Sequence, residues 1–273
     1  MTILYDFVRT EEKLLVNEFR KLGVNLRLIN IDKLSLRLDS EVSLGVSLVR
    51  PVSHLKASLV AKVLNAHGVI TINNGLAIEN AWNKAVALSI LAKSGIPIVP
   101  TKLLFSVEFN DDGIQYPVIV KPVHGSWGRL VSLVGDMDEL RLVLKHNALD
   151  NANPRIYMLQ PFIGNGKDYR VFVIGDEVVA SMTRLPSDGD WRSNVARGGI
   201  PRAVKLSDDA YEYAVKAVKV LGLDYAGVDM LQGPNGYLIN EVNAIPEFKG
   251  LMIASGVNIA RKIAEYVINL VRR

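Results

Sequence analysis

The sequence predicts an α/β protein with an N-terminal parallel sheet and two further lobes that mix helices with antiparallel strands. Three observations lead to this prediction. The first third of the chain alternates short apolar runs with amphipathic helical patterns, and the chain after Pro100 has apolar strands joined by glycine turns. In the C-terminal half, pairs of strands separated by short glycine-containing segments predict hairpins.

The N-terminal third has the βαβ order that produces a parallel sheet. The predicted strands cover residues 2–7, 25–31, 45–49 and 69–72, and the predicted helices cover residues 11–22, 54–66 and 76–93. Because a glycine follows each helix, as is common at helix C-termini, we expect a sheet with helices on both faces over about residues 1–75. No G-x-G-x-x-G follows the first strand and no G-x-x-x-x-G-K-[ST] occurs in the chain, so these two phosphate-binding loops are excluded.

The rest of the chain predicts the two mixed lobes. The predicted strands there cover residues 117–121, 130–133, 156–160, 169–174, 178–182, 226–231 and 237–242. The predicted helices cover residues 137–147, 208–221 and 259–271. The turn at Gly175 and Asp176 predicts one hairpin, and segment 233–236 predicts a second.

Composition narrows the function classes. The 273 residues are 49% hydrophobic and 22% charged, an ordinary globular balance that suffices for two or three lobes. The absence of cysteine excludes disulfides, thiolate metal sites and cysteine nucleophiles, and the scattered histidines show no metal-type pairing. The net charge of +4 favours anionic ligands. With no basic run interleaved with aromatics and no long apolar stretch or leader, we expect a cytoplasmic protein that binds neither nucleic acid nor membrane.

Polar residues in the last predicted hairpin indicate a metal site. Asp229 lies in one apolar strand, and Glu241 and Asn243 lie on one face of the next. Two carboxylates and an amide oxygen are hard ligands of the kind that Mg²⁺ prefers when it shares nucleotide phosphates. The alternative is that these side chains only face solvent.

Two further segments carry groups suited to anions. Lys121 ends an apolar strand before a turn in which Gly125 and Gly128 would let backbone N–H groups approach phosphate. Arg192 and Arg197, in DWRSNVARGG, could clamp a carboxylate or a phosphoryl group. Taken alone, the first segment could be an ordinary glycine turn and the second a solvated loop.

Six segments occur in an order that is far more specific than any one of them. They are AWNKA with Lys84, VIVKP with Lys121, GSWGR, LQPFIGNGKDYRVFV, DWRSN-x-x-RGG, and GVD followed by NEVN. Together they resemble the RimK-like branch of the ATP-grasp superfamily over nearly the whole chain. GSWGR with NEVNAIPEFKG is similar to the ligases that attach an amino acid to the carrier protein LysW in lysine and arginine biosynthesis.

The resemblance implies an ATP-grasp fold. A pre-ATP-grasp domain of residues 1–85 would precede two α+β lobes, residues 86–163 and 164–273, that clasp ATP. Its implied ATP contacts are Lys84, Lys121, Gly125, Ser126, Trp127, Gly128, Arg129, Gln160, Pro161, Phe162, Asp168 and Asn194.

The resemblance also implies chemical roles. Arg192 and Asn194 would act at the γ-phosphate, and Asp168 would contact the ribose or brace the hinge. Magnesium, with two ions expected, would bind Asp229, Glu241 and Asn243, and the implied substrate contacts are Arg192, Arg197, Asn243, Ala244 and Lys249. Many RimK-like hinges carry an acidic residue in place of Pro161, so adenine contacts there are assigned to backbone.

The implied activity is an ATP-dependent ligase that forms an amide through an acyl phosphate. The segment after Asn243, AIPEFK, is similar to the glutamate-using ligases. We therefore expect glutamate to be joined to the C-terminal glutamate side chain of an acidic, LysW-like carrier protein in arginine biosynthesis, by a homo-oligomer that is a dimer or a tetramer. The alternatives are the same reaction with α-aminoadipate, a RimK-like glutamate ligase, D-alanine–D-alanine ligase or glutathione synthetase chemistry, and a nucleotide-binding module without turnover.

Overall fold

The fold consists of three sheets with helices packed on them. The computed structural model describes residues 1–109, 113–125, 128–149, 155–163, 167–185 and 200–271. A parallel four-stranded sheet comes first, and two antiparallel sheets of four and five strands follow. Within those residues, no helix combines the length and the apolar character needed to cross a bilayer.

The N-terminal sheet is the predicted parallel one. Its strands, in the order β2-β1-β3-β4, are β1 (Thr2–Tyr5), β2 (Arg27–Asn30), β3 (Ser47–Val49) and β4 (Thr71–Ile72). The helices that connect them are α1 (Thr10–Lys21), a 3₁₀ turn (Ile31–Lys33) and α2 (His54–Ala66). The βαβ prediction is therefore confirmed, although the strands are shorter than their apolar runs.

The single helix predicted for residues 76–93 is wrong, because the chain forms two helices there. They are α3 (Gly75–Trp82) and α4 (Lys84–Lys93), and Asn83 lies between them with an extended backbone (φ −81°, ψ 98°). The Asn83 side chain accepts a hydrogen bond from the Val86 N–H at 3.2 Å. Asparagine is a preferred N-cap, so one polar residue ends one helix and starts the next. Lys84 consequently becomes the first residue of α4.

The middle sheet has its own small core. Its strands, in the order β5-β8-β6-β7, are β5 (Lys102–Leu104), β6 (Val118–Pro122), β7 (Ser132–Val134) and β8 (Tyr157–Pro161). Helix α5 (Met137–Asn147) packs Leu140 and Leu144 against Val120 and Tyr157. Asp136 caps this helix by accepting from the Glu139 N–H.

The C-terminal sheet contains both predicted hairpins. Its strands, in the order β11-β10-β9-β12-β13, are β9 (Asp168–Ile174), β10 (Glu177–Leu185), β11 (Ile200–Ala203), β12 (Tyr225–Gly233) and β13 (Gly236–Asn243). Its helices are α6 (Asp208–Val220), α7 (Lys249–Ser255) and α8 (Ile259–Val271). Strands β5 and β11 and helix α7 were not predicted, since each is short and lacks a clear apolar period.

The N-terminal and C-terminal sheets share their hydrophobic cores. One cluster joins Leu4 and Val49 of the first sheet to Val171 and Val228 of the last. A second cluster joins Phe19 of α1 to Phe172 and to residues of α8. Packing on both sides therefore fixes these two sheets relative to each other. The domain boundaries given above stay a prediction.

Candidate active site

A cavity of about 780 Å³ lies where the three sheets meet. Its walls come from the loop after β1, the start of α4, strands β6 and β8, and hairpin β12–β13. Of the predicted site residues that the structure describes, it gathers Lys84, Lys121, Gly125, Gly128, Arg129, Gln160, Pro161, Phe162, Asp168, Asp229, Glu241, Asn243 and Lys249. Ser126, Trp127, Arg192, Asn194 and Arg197 lie outside the described residues.

Ala244 does not reach this cavity. The residue is buried, and its carbonyl oxygen accepts a hydrogen bond from Asn73 Nδ2 at 2.6 Å. Its methyl group packs in the large hydrophobic core instead. The structure therefore does not support the expected substrate contact from Ala244.

The predicted metal ligands lie together on the last hairpin. The register of β12 and β13 pairs Asp229 with Glu241 and Gly227 with Asn243, and a bulge follows Asp229. Asn243 Nδ2 donates to Asp229 Oδ2 at 3.3 Å. The amide therefore turns its nitrogen, not its oxygen, toward this carboxylate.

Two arginines that sequence reasoning missed hold Asp229. Arg170 on β9 donates through Nε and Nη2 to the two Asp229 oxygens, at 2.6 Å each. Arg184 on β10 lies 3.2 Å from Asp229 and makes a bidentate pair with Asp168. Burial alone would raise the pKa of Asp229, but the two guanidinium groups outweigh burial and keep that pKa below its ordinary value. The sequence feature that could have indicated them is a single arginine within each of two mostly apolar strands, β9 and β10.

The two lysines approach the same hairpin from the opposite wall. Lys84 Nζ donates to the Gly125 carbonyl at 2.6 Å and lies 3.8 Å from Glu241 Oε1. Lys121 Nζ donates to Asn240 Oδ1 at 2.8 Å. Burial lowers the pKa of Lys121 to about 8, while Glu241 opposes that shift. Gly125 has φ of 138°, which favours glycine at this turn.

The hinge segment, residues 160–163, lines one wall of the cavity. Gln160 Nε2 donates to Thr101 Oγ1 at 2.9 Å, so its side chain is already engaged. The Phe162 N–H donates to the Pro117 carbonyl at 3.1 Å, and Asp168 is paired with Arg184. Proline at position 161 has a carbonyl but no N–H to offer. An adenine contact made by the backbone of this segment stays a prediction.

A partly buried histidine lies beside the lysines. His54, the first residue of α2, lines the cavity and stacks on Trp82 with ring centroids 6.0 Å apart. His124 contacts the Trp82 ring at 4.5 Å. Burial, and then the nearby Lys84, lower the pKa of His54 to about 4. His54 is therefore neutral near pH 7, and it was not among the predicted site residues.

The charges around the hairpin fit a metal only when an anion accompanies it. Four cations (Lys84, Lys121, Arg170 and Arg184) face three carboxylates (Asp168, Asp229 and Glu241). The described part of the chain has no cluster of three His, Asp or Glu side chains that could hold a metal. Asp229 and Glu241 do bring hard carboxylate oxygens to one face of the hairpin, with the Asn243 amide beside them. A polyphosphate would balance the cations and complete the coordination of Mg²⁺.

Two family models and several known proteins match this chain over most of its length. The model of the RimK-like ATP-grasp domain matches residues 81–267, and that of the LysX preATP-grasp domain matches residues 1–80. The glutamate–LysW ligase ArgX of Sulfurisphaera tokodaii is 35% identical, covering 98% of this chain and 97% of that protein. The α-aminoadipate–LysW ligase LysX of the same organism is 34% identical, covering 97% of this chain and 98% of that protein.

Solved structures share the fold. The crystal structure of a RimK domain protein ATP-grasp from Sphaerobacter thermophilus superposes with a TM-score of 0.74 at 20% identity, covering 98% of this chain and 99% of that chain. The predicted ATP-grasp fold is thereby confirmed. Matched along nearly its whole length, the chain belongs to the RimK-like ATP-grasp family and carries a LysX-type pre-ATP-grasp domain at its N-terminus.

Proposed function

We propose that this protein is an ATP-dependent ligase that joins the amino group of glutamate to the C-terminal glutamate side-chain carboxylate of a LysW-type carrier protein. The observation that carries the proposal is the cavity in which four cations face the hairpin of Asp229, Glu241 and Asn243. That arrangement suits a metal-bound nucleotide. Similarity over almost the whole chain to ligases named for glutamate and LysW supports the choice of substrates.

The nucleotide would lie across the cavity. The hinge at residues 160–162 would hold adenine through its backbone, and Lys84, Lys121 and the glycine turn at Gly125 would hold the phosphates. Lys121 is buried, so a phosphate near its ammonium would meet little competition from water. Asp229, Glu241 and Asn243 would hold Mg²⁺, which neutralises charge on phosphoryl oxygens when bound.

The chain supplies position and charge, not a nucleophile. A carboxylate oxygen of the carrier attacks the γ-phosphorus, the bond to the bridging oxygen breaks, and ADP leaves. The amino nitrogen of glutamate then attacks the acyl carbon, loses a proton and expels inorganic phosphate. The cations around the hairpin stabilise the negative charge that moves in both steps. Arg192 and Asn194 stay proposed as the residues at the γ-phosphate.

Glutamate is proposed over α-aminoadipate because the segment that follows Asn243, AIPEFK, is similar to that of the glutamate-using ligases. The two named relatives differ by only one percentage point in identity, so α-aminoadipate remains the second candidate. A cytoplasmic homo-oligomer, a dimer or a tetramer, and a second magnesium ion also remain proposals.

The test is reconstitution with purified protein, ATP, Mg²⁺, carrier protein and each amino acid in turn. We expect ADP to form only when both carrier and amino acid are present, with the carrier gaining the mass of one glutamyl residue. ATP binding without any ADP release would support the nucleotide-binding module instead. A higher kcat/KM with α-aminoadipate would make α-aminoadipate the preferred substrate, and the proposed ligase activity would still hold.

A further inference from the structure

Residues 244–249, which we call the acceptor segment, follow metal-binding strand β13 directly and lead into α7. Ile245, Pro246, Glu247 and Lys249 line the cavity. The segment has no regular secondary structure before Lys249, so its own backbone hydrogen bonds cannot fix its position. Buried polar side chains from the first third of the chain hold it instead.

Asn73, after β4, holds the start of the segment. Its Nδ2 donates to the Ala244 carbonyl at 2.6 Å and to the Tyr225 carbonyl at 2.9 Å. Its Oδ1 accepts from the N–H groups of Asp224 and Tyr225 at 2.7 and 3.1 Å. The side chain is fully buried, and this single amide ties the acceptor segment to the beginning of β12.

Arg50, after β3, holds the middle of the segment. Its Nη2 donates to the Pro246 carbonyl at 3.2 Å, and Nε and Nη1 donate to Glu12 and the Tyr225 hydroxyl. The guanidinium also lies 5.7 Å from the centre of the Phe248 ring. Arg50 has no exposed surface, so each donor direction is set by a protein partner.

Glu11, in the first turn of α1, holds the end of the segment. Its Oε1 accepts from the Lys249 N–H at 3.0 Å and from the Phe248 N–H at 3.3 Å. A carboxylate that accepts from two backbone N–H groups makes stronger bonds than a neutral acceptor would. It therefore anchors the place where the segment enters α7.

Close packing behind the segment leaves it little freedom to move back. A Cβ added at Gly227 on β12 would lie 3.1 Å from Pro246 Cβ and 3.5 Å from Arg170 Cδ. Such a contact would force Pro246 to shift by a few tenths of an ångström. Gly227 thus lets the segment rest directly against the sheet that carries the metal ligands.

We infer that Glu11, Arg50 and Asn73 are positioning residues that set the depth of the subsite for the amine-bearing amino acid. The inference rests on the proposed function. Six of their hydrogen bonds reach backbone atoms of the acceptor segment or of Tyr225 on β12, and none requires a particular side chain on the segment. By holding the acceptor segment, these three residues fix how far the side-chain carboxylate of the bound amino acid can extend before it meets Pro246. That distance decides between glutamate and its homologue with one more methylene, α-aminoadipate.

The test compares Glu11→Ala with Glu11→Gln, because glutamine keeps an oxygen acceptor at the same place. In Glu11→Ala we expect the KM for glutamate to rise about tenfold and the preference between the two amino acids to shrink, since a methylene is worth about 10–200-fold in an ordered pocket. The KM values for ATP and carrier should stay unchanged, and Glu11→Gln should recover most of the selectivity. Asp138→Ala is the matched control, because Asp138 is an exposed acid in the first turn of α5.

Gly227→Ala tests the same inference from the other side of the segment. Gly227→Ala removes no hydrogen-bonding group, yet it should change the ratio of kcat/KM for the two amino acids by displacing Pro246. It also provides the test if Glu11→Ala does not fold. Unchanged selectivity in folded Glu11→Ala or folded Gly227→Ala would overturn the inference. Equal defects in Glu11→Ala and Glu11→Gln would also overturn it, because direct contact between the Glu11 charge and substrate would then explain the loss. If the wild-type protein forms no amide, the proposed function fails on its own.

Discussion

Asp229→Asn and Glu241→Gln should both abolish ligation but should differ sharply in stability. The Asp229 side chain is 9% exposed and bonds two buried arginines, whereas the Glu241 side chain is 25% exposed and has Lys84 at 3.8 Å as its ion-pair partner. Removing one member of a buried ion pair costs about 3–5 kcal/mol, while a longer, more exposed pair contributes at most about 1 kcal/mol. We therefore expect only Asp229→Asn to lose a large part of its folding free energy.

The stability difference should also depend on pH. The pKa of Asp229 is held below its ordinary value of 3.8, so its charge stabilises the folded protein at pH values above that. This contribution is lost as pH falls through the folded pKa. The wild-type protein and Asp229→Asn should therefore begin to converge in stability below about pH 4, and should meet only as the pH approaches the folded pKa of about 2.

Denaturant unfolding at pH 7 and near pH 2 measures the stability difference and its loss, and ADP release is measured at pH 7. Glu241→Gln should unfold like the wild-type protein and release no ADP. Wild-type stability in Asp229→Asn would refute the reasoning about the buried pair. Full activity of Glu241→Gln at ordinary magnesium would refute its role as a metal ligand.

Four further predictions concern ligands. Lys121→Ala and Lys84→Ala should each weaken ATP binding in calorimetric titration, since each removes a cation from a site for several negative charges. Because the pKa of Lys121 is about 8, wild-type ATP affinity should fall above that pH, by at most about tenfold per unit, and this fall should be missing in Lys121→Ala. Carrier affinity should fall with rising salt, mainly through slower association, because the net charge is +4 and exposed charges are screened within ~8 Å at physiological salt. Glutamate should give a higher kcat/KM than α-aminoadipate with the same carrier.

Each of these predictions has a result that contradicts it. Unchanged ATP affinity in both lysine variants would leave them without a phosphate role. A pH profile shared by wild type and Lys121→Ala would assign the titration to another group. Association rates independent of salt would count against electrostatic docking.

Local sequence rules predicted the hairpin that carries Asp229, Glu241 and Asn243, but not its surroundings. Side-chain alternation in strands places Glu241 and Asn243 on one face, and the short connection at 233–236 brings Asp229 beside them. The bulge after Asp229 has no such signal. The partner of Asp229, Arg170, lies 59 residues away, and its contact follows from pairing β9 with β12, which no local pattern specifies.

The contacts that hold the acceptor segment could not be predicted from local sequence either, because they join residues even further apart in the chain. Arg50 reaches Pro246 across 196 residues, and Asn73 reaches Ala244 across 171. In the sequence alone, an arginine before a proline and an asparagine before a helix read as surface residues. The break at Asn83 was also missed, because the apolar pattern continues through it from α3 to α4.

Because the first and last sheets share their hydrophobic cores, we expect the N-terminal and C-terminal parts of the chain to fold together. Phe19, Leu4 and Val49 are each fully buried, and each belongs to a cluster that includes residues beyond position 170. A fragment ending near residue 80 would lose the part of each cluster that lies beyond position 170, and Arg50 would keep Glu12 but lose its bonds to the Tyr225 hydroxyl and the Pro246 carbonyl. We therefore expect such a fragment to aggregate when expressed alone, and the first and last sheets to unfold in one cooperative transition.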